Sequence, residues 1–232
     1  MRNIQSQMKK GFILLFCFTL VFGYAQKREV QKPNYKKIEK KIKKEGSDYY
    51  YPMLLDRFIK ADTTLTLEQK RCLYYGFTFQ SLYSPYGDVK YKDSIRVVMK
   101  KEELDISDYE KIILFSDSAL IENPFDLDAL NYLLYCHDFL QNSKELDKTV
   151  AKFRIVFEAI LSSGTGETLK DPYYVISVDH EYMLLKIFGY YSVSQSLIGT
   201  CDYLKLEPNE DNIEGLYFDV TPSFKYLNNL FK

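Results

Sequence analysis

Apolar residues recur at three- and four-residue steps through the middle of the chain and at shorter steps after residue 166. Asp48 to Ala61 places Pro52 in a first helical turn and Leu55, Phe58 and Ile59 on one face. Thr66-x-x-Gln69 is a capping box opening a helix from Leu67 to Tyr83. Cys72, Tyr75, Phe79 and Leu82 form one stripe of it, while Leu73, Tyr74 and Phe77 cover other faces, so this helix is expected to be central. Gly76 would admit a close neighbour. Ser84-Pro85-Tyr86-Gly87 reads as a turn. Ser107-x-x-Glu110 predicts a helix over Asp108 to Glu122, broken by Asn123-Pro124. Helices over Leu127 to Leu140 and Glu145 to Leu161 follow, the latter with Leu146, Val150, Phe153, Phe157 and Ile160 in one stripe.

Past Gly166 the texture changes. Tyr173 to Val178, Tyr182 to Phe188, Val193 to Leu206 and Leu216 to Val220 are short and rich in aromatic and β-branched residues. They predict three or four antiparallel strands in a meander, then a short helix from Ser223 to Phe231. Helices first and strands afterwards make the expected class α+β. Ala119 to Pro124 reproduces the Ala-then-Pro spacing that closes a tetratricopeptide unit, and Leu73 to Phe79 is similar to the first helix of one. Residues 88–105 interrupt the period, so about two degenerate helical hairpins are expected. Stacked hairpins of this kind present a concave surface to a segment of another protein.

The N-terminus carries an address. Arg2, Lys9 and Lys10 precede the apolar run Phe12 to Phe22, and Gly23 and Ala25 occupy the −3 and −1 positions of a cut after Ala25, the order of a secretory signal peptide. The uncharged stretch from Gly11 to Gln26 is 16 residues, short of the ~18–20 that cross hydrocarbon. The expected organisation is a signal peptide over 1–25, a basic tether or helix over 26–46, a helical region over 47–166 and a β-rich region over 167–232 packed on it.

Charge and composition narrow the chemistry. The 232 residues carry net −1, and loss of residues 1–25 would leave −4. Residues 27–44 alone hold +7, in a segment with only Tyr35 as an aromatic, which suits a solvated helix with Ile38 and Ile42 as a thin apolar line. Peripheral contact through this segment is open, but no nucleic-acid partner is expected. Cys72, Cys136 and Cys201 would remain after processing, an odd number for an oxidising compartment, and no C-x-x-C occurs. With two His, no Trp and 21 Tyr, neither a metal centre nor a cofactor is expected, and the aromatic residues are assigned chiefly to burial.

Asp179-His180-Glu181 is the densest group of reactive side chains, expected at a strand-to-strand turn where neighbours diverge and cannot easily share a zinc ion. His137, near a helix end, is assigned a structural role favoured by the helix dipole. Ser163-Gly-Thr-Gly166 lacks a Walker lysine, and no G-x-S-x-G or S-x-x-K occurs, so no catalytic residue is assigned. Tyr83, Tyr86, Tyr173 and Tyr174 are candidates for an aromatic wall. Tyr83, Tyr86, His180 and Glu181 are the binding residues carried forward.

Leu73-Tyr-Tyr-Gly-Phe77, Tyr83-x-Pro-Tyr-Gly87, Glu181-Tyr182, Gln195…Asp202 and Tyr217-Phe-Asp-Val220, together with the export signal, resemble an uncharacterised family of secreted Bacteroidetes proteins, a domain of unknown function. The resemblance implies an envelope location and no activity. The expected function is therefore binding of a protein or peptide partner in the cell envelope through helical hairpins. The alternatives are a hydrolase using Asp179, His180 and Glu181, or a module for a small ligand or glycan.

Overall fold

A computed structural model describes residues 30–86 and 89–230; the expected signal peptide, 1–25, lies outside them. Helices come first and the sheet last. The helices are α1 (Tyr35–Ile42), α2 (Tyr51–Ile59), α3 (Leu67–Gly76), α4 (Val89–Met99), α5 (Ile106–Glu122), α6 (Leu127–Phe139) and α7 (Ser143–Leu161). They are followed by β1 (Tyr173–Tyr174), α8 (Asp179–Phe188), β2 (Ser192–Ile198), β3 (Cys201–Leu206), β4 (Gly215–Asp219) and α9 (Thr221–Leu230). The protein is α+β, as its pattern predicts.

α3 is the hub. Thr66 and Gln69 form both halves of the capping box, Gln69 N–H to Thr66 Oγ1 at 3.3 Å and Thr66 N–H to Gln69 Oε1 at 2.9 Å. Cys72, Leu73, Tyr74 and Tyr75 are all inaccessible, so the helix is buried on every side as expected. A Cβ on Gly76 would stand 3.2 Å from Ile42 and Tyr51, which shows why a residue without a side chain lets α1 and α2 approach here. α3 ends there and continues as one 3₁₀ turn, Phe77–Phe79, rather than running to Tyr83. The basic segment contributes α1, whose Ile38 and Ile42 are buried while its lysines stay outside.

Two other boundaries move for local reasons. α5 starts two residues early because Asp105 and Asp108, not Ser107 and Glu110, form its capping box. The stretch that interrupts the helical period contains α4, whose Ile95 and Val98 join Tyr109, Ile112 and Cys136 in a small second core. Cys72, Cys136 and Cys201 are free, buried thiols.

The β-rich region departs from expectation in two places, a short parallel strand and a helix where a strand is expected. The sheet order is β1-β4-β3-β2: β2, β3 and β4 form the expected antiparallel meander, and the two residues of β1 add to β4 in parallel, which makes the sheet mixed. The segment from Val193 to Leu206 is two strands folded at Gly199-Thr200. Tyr182 to Phe188 is helix, part of α8. Met183, Leu184 and Ile187 supply helical spacing, Asp179 and Glu181 sit in its first turn, and Gly189 at φ 77° closes it in the left-handed conformation. These end signals outrank the aromatic and β-branched composition that suggested a strand.

Candidate functional site

The first turn of α8 sends its three reactive side chains in three directions. Asp179 pairs with Lys92 of α4, which also lies 3.6 Å from both Asp126 and Asp128 at the start of α6. Asp126 is largely buried and its pKa is raised by that burial, against the pull of Lys92. Lys92 thus ties α4, α6 and α8 together. Lys92→Gln is expected to cost about 1 kcal/mol in urea unfolding, because it leaves Asp126 desolvated without its cation.

His180 points into the main core and is 1% exposed. Its Nε2 lies 2.9 Å from the Phe125 carbonyl, which can only accept, so Nε2 carries the hydrogen. Nδ1 is then an acceptor for the Tyr74 hydroxyl at 2.6 Å, and that hydroxyl accepts the Ile176 N–H at 3.2 Å. Burial lowers the imidazole pKa to about 4, so it is neutral. Both ring nitrogens of His180 are used internally. His180 is structural, and the expected turn that would have displayed it does not exist.

Glu181 faces a different way. It is 0% exposed, no donor reaches either carboxyl oxygen, and its one polar neighbour is the Asp202 carboxylate, to which the protonated acid donates. Burial first, and then the carboxylate of Asp202 on β3, push its pKa up to about 9, so it keeps its proton at neutral pH. Asp202 is itself buried, with its pKa raised. It accepts from Gln195 Nε2 of β2 at 2.8 Å, and Gln195 Oε1 accepts from the Tyr182 hydroxyl at 2.9 Å. The pair therefore sits beneath a polar bridge that reaches solvent.

The segment Tyr83–Tyr86 stands beside this pair. Tyr83 is buried, donates to the Ile176 carbonyl at 2.7 Å and packs edge-on against Phe77 and Tyr226. Ser177 Oγ donates to the Pro85 carbonyl at 3.0 Å. These two anchors fix the loop and leave Tyr86 49% exposed, with Asp202 the charged group whose field raises its pKa after burial. Tyr83 and His180 are thus supports. Tyr86 and Glu181 belong to one site, with Asp202, Gln195 and Tyr182, which sequence reasoning did not select as site residues.

The other sequence candidates are structural. Tyr173 and Tyr174 form β1 and are buried. Ser163 Oγ donates to the Ile160 carbonyl and accepts the Tyr174 N–H. His137 is buried in α6 with Nδ1 unpartnered, and burial lowers its pKa, so desolvation outweighs the expected dipole effect. Among the described residues, no group of three metal-ligating side chains forms, and no helix is long and apolar enough to cross a membrane.

Glu181-Tyr182, Gln195, Asp202 and Tyr86, separate in sequence, meet at this site. The profile of the DUF4919 family, a domain of unknown function, matches residues 36–229. The chain belongs to the DUF4919 family. That match spans α1 to α9, so the DUF4919 unit comprises both the helices and the sheet. No curated protein and no solved structure matches the chain.

Proposed function

We propose that the protein is an exported, non-catalytic binding protein of the cell envelope that takes a cationic side chain of a protein or peptide partner between Tyr86 and Tyr182. The observation that carries this reading is the Glu181 carboxyl, fully buried, with no donor to either oxygen and only the Asp202 carboxylate beside it to take its proton. A carboxyl in that setting destabilises the fold at neutral pH, and such groups concentrate where a ligand is met. The Gln195 amide already donates to Asp202, which marks where an incoming guanidinium or ammonium would donate instead. Two accessible tyrosine rings beside that position suit a cation. Glu181 and Asp202 supply the negative charge, and the arriving cation lets Glu181 release its proton. The binding surface in this reading is the junction of the Tyr83–Tyr86 loop, α8 and the β2–β3 hairpin, not the helical hairpins expected from the sequence.

Calorimetric titration with blocked pentapeptides carrying a central Arg, Lys or Glu tests it. The Arg and Lys peptides are expected to bind and to release a proton near pH 7.5, seen as a dependence of heat on buffer ionisation. Asp202→Asn and Tyr86→Ala should each weaken them at least about tenfold, ~1.4 kcal/mol. Equal binding of the Glu peptide, or cation binding indifferent to Asp202→Asn, rejects the reading.

A further inference from the structure

β2 is an edge strand. It pairs with β3 on one side, and among the described residues nothing covers its other side. Six of its seven residues are exposed, Val193 at 55% and Leu197 at 54% among them. Natural sheets protect such edges with lysine, proline, inward charges or brevity. Ser192-Val-Ser-Gln-Ser-Leu-Ile198 carries no charge and no proline, and its one protective device is a register shift between Ser192 and Ser194, at the far end from the hairpin loop.

We infer that β2 of one copy pairs antiparallel with β2 of a second copy, around a two-fold axis at Gln195, so that one sheet runs through a homodimer. Residues opposite each other in an antiparallel pair both turn their N–H and C=O toward the partner strand, or both turn them away. For a strand paired with itself, this restricts the register to those that place one residue opposite itself. Centred on Gln195, Val193 meets Leu197, Ser194 meets Ser196 and Ser192 meets Ile198. Centred on Ser196, Gln195 falls against Leu197 and Val193 against Gly199. Centred on Ser194, Val193 falls against Gln195. Only the Gln195 register sets the two accessible apolar residues inside the strand against each other.

The same centre agrees with the hairpin. Ile198 and Cys201 close a two-residue loop and therefore form a hydrogen-bonded pair, which leaves Gln195 and Leu197 with their N–H and C=O turned to the free edge. A residue on the axis of a hydrogen-bonded pair must be of this kind. The Gln195 side chain is held by Asp202 and Tyr182 of its own copy and leaves the axis clear. Self-complementarity selects a second copy over an unrelated strand, since a second β2 sets Val193 against Leu197 and Ser194 against Ser196 on both sides of one axis. The absence of charge from Ser192 to Ile198 means that no like-charge pair forms across that axis. The inference rests on the β2 edge and its register and not on the proposed cation site, so failure of the peptides to bind leaves it standing.

One pair of strands covers less than the ~1,200 Å² of a standard interface, so a dissociation constant of about 10–100 μM is expected. Sedimentation equilibrium of the processed chain should show a monomer–dimer equilibrium in that range. Leu197→Lys should raise the constant at least about tenfold, since it places charge on the shared edge. The register has its own test. Ser194 and Ser196 face each other only across the dimer, in a close, non-hydrogen-bonded pair that suits a disulfide. Under oxidation, a mixture of Ser194→Cys and Ser196→Cys chains should form the mixed covalent dimer well ahead of either variant alone. A monomer up to about 500 μM overturns the inference. So do a dimer indifferent to Leu197→Lys and equal cross-linking by the single variants.

Discussion

Glu181→Gln is expected to stabilise the protein at pH 8 and to leave it nearly unchanged at pH 5. The carboxyl titrates at the ordinary glutamate value of 4.5 when unfolded and at about 9 in the fold. Between those values the native chain holds a proton that the unfolded chain has released, so stability falls as pH rises, by ~1.4 kcal/mol per unit. Below 4.5 both states are protonated and the cost vanishes; above 9 it is complete. A glutamine is neutral throughout and has nearly the same shape. The difference between the two proteins should therefore grow from near zero at pH 5 to about 2–4 kcal/mol at pH 8, read from urea unfolding across the range. A variant no more stable than the parent at pH 8 would show that Glu181 is ionised and partnered in the fold, and would remove the basis of the cation site.

His180 has the opposite sign. Its imidazole falls from 6.5 to about 4 on folding, so acidification through that interval charges the unfolded chain first and lowers stability. In the parent the two slopes oppose each other between pH 4.5 and 6.5. Glu181→Gln removes one and exposes the other. The variant should thus lose stability on acidification more steeply than the parent over that interval, a change of slope that a general packing effect would not produce.

The elements that were legible in sequence are those whose ends and faces are written locally. Thr66 and Gln69 announce α3, and the run from Cys72 to Tyr75 announces its burial on all sides. α8 was misread because Tyr182, Leu184, Leu185 and Ile187 satisfy strand composition as well as helix spacing, and the deciding signals, two acids in the first turn and Gly189 at the end, are weak singly. β1 is two residues held by β4, a pairing that no local pattern contains. The site follows the same division. Tyr86 stood out through its turn and Glu181 through its cluster, but Asp202 and Gln195 become special only when β3 brings a second acid beside a carboxyl already deprived of water. His180 was conspicuous for its residue type, and type says nothing of the Tyr74 and Phe125 atoms that occupy both its nitrogens.

Those atoms support the largest expected loss. Tyr74→Phe removes a hydroxyl that gives a hydrogen bond to His180 Nδ1 and receives one from the Ile176 N–H. Both partners are buried, and neither gains access to water when the oxygen goes, so each keeps its full desolvation cost. The expected destabilisation is about 2–4 kcal/mol, against a typical total of about 5–15. Tyr75→Phe is the control. Its equally buried hydroxyl donates to the Tyr174 carbonyl at 3.1 Å and the Ala159 carbonyl at 3.3 Å and receives no backbone N–H, so its removal should cost about 1 kcal/mol. Ile176 leads from β1 into α8, so loss of its anchor should also speed exchange of the Ile176 to His180 amides. Equal losses in the two variants, with exchange in that segment unchanged, would mean that the hydroxyl is not the link between α3 and α8.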